Sequence, residues 1–143
     1  MSLEEANKAV VRRYIEDVVN GNELALIDEL FAAERREQVR AFLSGEDQPF
    51  PDGHEEIIDI VAEGNTVMVR WNFQGTHRGT YLGIPATGKV ITMVGFAVYY
   101  LEQGRIVDDL MLTSNYGALK QMGATITPPD KTDSVQTRAR TEA

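Results

Sequence analysis

The sequence predicts an α+β fold, with N-terminal helices packed on an antiparallel sheet. Three observations lead there. Apolar residues at helical spacing come early in the chain, before Ser44. A run of long strands follows: Thr66–His77, Lys89–Glu102 and Arg105–Asn115. The last two are joined by Glu102-Gln103-Gly104-Arg105, a tight hairpin turn, and helices followed by hairpin-linked strands make an α+β domain.

Each element has its own signal. Ala6, Val10, Tyr14 and Val18 recur at i, i+4 with Val11 and Ile15 beside them, giving an amphipathic helix over about Ser2–Asn20. Ser2 caps it, Glu4 and Glu5 suit its first turn, and Asn20-Gly21-Asn22 ends it. A second helix, Glu23–Phe31, buries Leu24, Ile27, Leu30 and Phe31. Ala32–Leu43 is helical in pattern, with Val39, Phe42 and Leu43 as its apolar face. Ser44–Gly53 is a loop rich in turn residues. Glu55–Ala62 is a short strand or a short helix.

In the first long strand Val67, Val69, Trp71 and Phe73 alternate with Met68, Arg70, Asn72 and Gln74, the period of two expected of a half-buried strand. About twelve residues at ~3.3 Å each span roughly 40 Å. A small domain accommodates that length by bending, with Gly75 and Gly95 as the expected bends. Gly117–Met122 is a final helical turn, and residues 125–143 form an expected flexible tail after a domain of residues 1–124. A bent sheet wrapped around the helices leaves a pocket between them.

Composition narrows the function. The chain has 143 residues, 43% hydrophobic and 25% charged, enough for one domain with a real core. A net charge of −8 and a pI of about 4.7 argue against nucleic acid and anionic membrane surfaces as partners. No apolar run reaches the ~20 residues of a membrane span. The start, MSLEEANKAV, is acidic rather than a basic, apolar leader, so a cytoplasmic location is the default expectation. The absence of cysteine excludes disulfides, thiol catalysis and cysteine-held metals.

A series of short stretches resembles the SnoaL-like polyketide cyclase and ester cyclase family of the NTF2-like superfamily. They are Asn20-Gly21-Asn22 with Leu30-Phe31, Phe50-Pro51-Asp52, Val61-Ala62-Glu63-Gly64-Asn65 and Val69-Arg70-Trp71. The densest is Gly75-Thr76-His77-Arg78-Gly79 through Leu82-Gly83-Ile84-Pro85-Ala86-Thr87-Gly88-Lys89; Gly104-Arg105-Ile106-Val107 and Gln121-Met122-Gly123 complete it. The resemblance implies a cone-shaped α+β roll, related to cystatin-like folds, over about residues 1–124. It also implies a small hydrophobic ligand of polyketide, steroid or terpenoid type. Two departures stand out. Ala32–Gln48 is shorter than the family's equivalent, so part of the pocket wall is absent or comes from another subunit. The family's general acid/base Asp falls on Ser114, with Asn115 beside it, and its aromatic position falls on Leu110. Neither Ser nor Asn serves as a proton-transfer base near neutral pH.

The candidate residues follow. Asp108 and Asp109 face opposite sides of a strand, and Asp108 shares parity with Ile106, Leu110, Leu112 and Ser114. On that apolar face it is a candidate proton carrier; otherwise it is a solvated strand-end charge. His77 closes the Trp71 face and either meets a ligand carbonyl or locks its own loop. His54 reads as a surface residue. No metal-ligand spacing such as HExxH occurs, and no metal or cofactor is expected. Tyr14, Trp71, Phe73, Phe96, Leu110, Leu112 and Ser114 are the candidate pocket residues. The aromatic residues, Tyr99 and Tyr100 among them, line a cavity, fill the core or form a sheet-to-sheet interface. Two functions fit: a metal-free cyclase- or isomerase-type catalyst using Asp108 or His77, or a non-catalytic module that binds a small ligand or pairs with itself as a homodimer.

Overall fold

The computed structural model describes residues 1–130, so most of the expected flexible tail lies outside the described residues. The first helix, α1, covers Leu3–Arg13. Ser2 Oγ accepts the Glu5 N–H at 3.1 Å, the expected cap. The helix then widens into a π-helical segment, Tyr14–Val19, closed by the Asn20 N–H donating to the Ile15 carbonyl at 3.0 Å. Sequence reading gave no sign of this change of pitch. π-Helical turns widen the spiral by one residue and often sit at functional sites.

The second helical stretch divides into a 3₁₀ turn, Leu24–Leu26, and one α-helical turn, α2, Ile27–Leu30. Phe31 leaves it to form a parallel bridge with Ile106. Helix α3 runs over Ala33–Ser44. Four strands follow: β1 His54–Glu63, β2 Thr66–Thr76, β3 Val90–Glu102 and β4 Arg105–Thr113. The segment left open between strand and helix is thus a strand, β1. The last helix among the described residues, α4, covers Asn115–Gln121. The sheet is an antiparallel meander in the order β1-β2-β3-β4. Gln103 (φ 49°) and Gly104 (φ 77°) both adopt the left-handed conformation that a two-residue hairpin turn requires.

One face of the sheet is buried. Val67, Val69 and Trp71 of β2 join Ile91, Met93, Ala97, Tyr99 and Leu101 of β3 against Val11, Ile15, Val18, Ile27 and Phe31. The alternation read in β2 is the observed one. Among the described residues the other face carries no helix, and Val94, Phe96, Leu110 and Leu112 are each more than half exposed there. Among the described residues, no helix is long and apolar enough to cross a membrane.

Two register shifts decide which side chains face inward. In the β3–β4 ladder Tyr100 pairs with Asp108 but Leu101 pairs with Ile106, leaving Val107 as an extra residue. In the β1–β2 ladder the shift falls between Ile57 and Asp59, with Ile58 as the extra residue. A bulge of one residue exchanges the faces of all that follows.

Candidate functional site

The bulge at Val107 corrects the reading of β4. Ile106 is buried, but Asp108 lies on the open face with its side chain 67% exposed. Asp109 pairs with Tyr99 and is the carboxylate on the helix-covered face. Asp108 is therefore a solvated charge. Leu110 and Leu112 fall on the open face for the same reason, and Phe96, paired with Leu112, accompanies them. None of these three faces the helices.

Other expected pocket residues do face inward. Tyr14, on the π-helical segment, meets Phe31 edge-on at a centroid distance of 4.9 Å and Tyr99 at 6.0 Å. Phe73 is half-buried and packs against Phe50 at 5.3 Å. Trp71 is a core residue, 2% exposed, lying over Gly95, and its Nε1–H has no partner. Ser114 is spent on the sheet: its Oγ accepts the Val94 N–H at 3.0 Å.

His77 is fully buried at the end of β2. Its Nδ1 contacts Thr87 Oγ1 at 3.0 Å and accepts the Thr87 N–H at 3.3 Å. The side chain thus ties together the loop from Arg78 to Gly88 through the Thr87 N–H and hydroxyl, where sequence reading expects a backbone carbonyl as the partner for such a lock. With Nδ1 accepting, the proton of the neutral ring is on Nε2. Nε2 has no partner.

Asp109 is ion-paired where it stands. Arg35 of α3 donates from Nη2 to its Oδ1 at 2.6 Å. The same guanidinium lies 4.0 Å from Asp108, joining both carboxylates to α3.

The group that sequence reading missed is Glu55. It opens β1, pairs with Phe73 and sits on the helix-covered face because of the bulge at Ile58. Strict alternation back from Ala62 would have put Glu56 there instead. Asn20 holds this point of the strand with two bonds: its Oδ1 accepts the Glu55 N–H and its Nδ2 donates to the Glu55 carbonyl, both at 2.8 Å. Burial pushes the Glu55 carboxyl up to about 7, and no hydrogen bond or positive charge opposes it. Tyr14 is raised by burial first and then by the negative charges of Glu55 and Asp109. Tyr99 is raised by burial, then by Tyr14, Glu55 and Asp109. Both hydroxyls therefore stay protonated at neutral pH and remain hydrogen-bond donors.

The inner face thus joins one unpaired carboxyl, two phenols and unspent N–H donors among aromatic rings. Proton transfer and hydrogen bonding to a carbonyl are the chemistry such a set offers. Among the described residues no group of three or more His, Cys, Asp or Glu is placed to hold a metal.

The family model for SnoaL-like polyketide cyclase matches residues 8–122. The chain belongs to this family. Solved structures with the SnoaL-like fold superpose on it. One is a Jannaschia sp. CCS1 protein assigned as a SnoaL-like polyketide cyclase, 20% identical, with a TM-score of 0.74 over 90% of this chain and 97% of that one. AclR of Streptomyces galilaeus, assigned as a hydroxylase, is 18% identical, with a TM-score of 0.73 over 99% and 95%. An Acidithiobacillus ferrooxidans protein assigned as a polyketide cyclase is 24% identical, with a TM-score of 0.68 over 86% and 98%. No curated protein matches the chain. At these identities the likeness to solved structures establishes the SnoaL-like fold alone.

Proposed function

We propose that this SnoaL-like chain binds a small hydrophobic organic molecule, of polyketide, steroid or terpenoid type, on the inner face of its sheet and converts it by acid/base proton transfer. One observation carries the reading: hydrogen-bonding groups are sunk among aromatic rings with their capacity unspent. Trp71 Nε1 and His77 Nε2 are sealed from solvent without partners. An unmet buried polar group costs on the order of 1–3 kcal/mol, so a ligand acceptor that meets one gains accordingly. The side chains around these donors are apolar, which suits a ligand with few polar atoms.

Trp71 is the sole tryptophan, so its emission reports on the site. Titration with a hydroxylated anthraquinone or a steroid is expected to quench or shift it saturably. An emission spectrum indifferent to both ligand types would count against the proposal.

A specific observation favours a second, compatible reading. The open face carries ladder-paired apolar rows, Met68–Val98–Leu110 and Phe96–Leu112, flanked by Val61, Val94 and Tyr100. A face of this kind is suited to a second sheet. We propose that two copies pair through it as a homodimer, and the Arg70–Asp59 ion pair on the same face (2.7 Å) can exchange partners across a two-fold axis. Light scattering on dilution is expected to give a dimer mass, and Leu112→Asp a monomer. A monomer mass for the unaltered protein at every concentration would reject this.

A further inference from the structure

We propose that Glu55 is the proton-transfer residue of this chain, a role moved from the end of β4 to the start of β1. The inference rests on the inner face being a ligand site, as proposed above.

The argument is one of elimination and placement. Ser114, at the position where the resemblance expects an Asp, has its hydroxyl committed to the Val94 backbone. Asp108 is outside. Asp109 is inside but bound to Arg35 at 2.6 Å, so its charge is spent. His77 has one nitrogen committed to Thr87. Among the described residues of the sheet, Glu55 alone is a carboxyl on the covered face with no ion pair or side-chain hydrogen bond.

Its backbone is held on both sides by Asn20, the residue that closes the π-helical segment carrying Tyr14. The pitch change and the carboxyl are therefore coupled in one piece of structure. The titratable groups facing it are Tyr14 from the π-helical segment and Tyr99 from β3; Asp109 of β4, with its partner Arg35 of α3, faces the same two phenols. Burial raises the carboxyl towards neutrality, where a base is both available and strong.

The step is a carbon-acid ionisation. A carboxylate oxygen of Glu55 takes the proton from the carbon next to a ligand carbonyl. The C–H pair moves into the new C=C bond, and the carbonyl oxygen becomes an enolate oxygen. Tyr14 or Tyr99 donates a hydrogen bond to that oxygen. Where the ligand carries a C=C bond one carbon further on (a β,γ-unsaturated carbonyl), the enolate is a dienolate, and returning the same proton to its γ-carbon moves the C=C into conjugation and re-forms the carbonyl, an isomerisation with no further reactant.

The test uses 5-nitrobenzisoxazole with the full chain. A base takes its ring C–H proton, the C–H pair forms the nitrile, the N–O bond breaks, and a coloured phenolate leaves. Binding is read separately from Trp71 emission. The expected result is a kcat/KM that rises with pH through an inflection near the carboxyl's value of about 7. Glu55→Gln should bind the probe yet lose roughly 100-fold in kcat/KM, the usual size of a general-base contribution. Glu55→Asp should recover part of the rate, and exposed Glu37→Gln should leave it unchanged. Probe binding with equal rates for Glu55→Gln and the unaltered chain would overturn the role of Glu55 and leave the ligand site standing. Failure of the probe to bind would overturn both.

Discussion

Glu55→Gln is expected to make the protein more stable at pH 8 and to leave it unchanged at pH 4. Burial raises the folded-state carboxyl from 4.5 to about 7. Below the unfolded value the group is protonated in both states and contributes nothing to the difference. As pH climbs from there to about 7, the unfolded chain releases the proton while the folded chain keeps it, so stability falls. Above the folded value the whole cost is present, about 3 kcal/mol by the conversion of pKa differences into free energy. Glutamine is neutral throughout and escapes it. Thermal unfolding followed by circular dichroism should show a Tm gain of roughly 5–10 °C for the variant at pH 8, vanishing at pH 4. A gain of the same size at both pH values would place its cause elsewhere. Stability given up at a site is a common mark of function, and here it falls on the residue proposed to move protons.

Gly95→Ala is expected to be severely destabilising, although it adds a single methyl. A Cβ at position 95 would lie 2.4 Å from Trp71 Cζ2 and 2.6 Å from the Leu112 carbonyl oxygen. The indole can swing away only by leaving the core. The carbonyl belongs to β4, whose ladder with β3 reaches this point through the Gly95–Thr113 pair. Overpacking of this kind costs about 1–3 kcal/mol, and backbone on one side with a core tryptophan on the other puts this site at the upper end. Urea unfolding should show the loss as a lower midpoint with unchanged slope. Gly64, with nothing within 4 Å of its would-be Cβ, offers a contrast. Its cost should come from its φ of +56° alone. A Gly95→Ala midpoint equal to that of the unaltered protein would show that Trp71 does not lie over this glycine.

The fold was largely legible in the sequence, and the site was not: two bulges account for most of the misses, while Phe96 was placed inside against the alternation of β3 itself, where Met93, Ala97 and Tyr99 hold the inner row. Binary patterning fixes which elements exist, and it fixed the inward row of β2, where no bulge intervenes. In β1 and β4 a single extra residue reverses the faces. Both extra residues, Ile58 and Val107, are β-branched and suit a strand on either side, so nothing in their chemistry marks a bulge. Parity then chose Asp108 over Asp109, placed Leu110 and Leu112 inside, and passed over Glu55. The π-helical segment escaped in the same way. Tyr14, Ile15 and Val18 satisfy an α-helical stripe, and the widening shows only in the bond from Asn20 to Ile15. Asn20 read as a residue that ends a helix, and its side chain reaches from there to β1.

The inner face as the ligand site is the claim on which the rest depends, and the methionines test it most directly. Met93 and Met111 stand on the helix-covered face, and Met68 on the open one. With methyl-labelled methionine, adding an anthraquinone or steroid ligand should shift the Met93 and Met111 resonances and leave Met68 in place. A shift confined to Met68 would put the ligand on the open face and contradict the account.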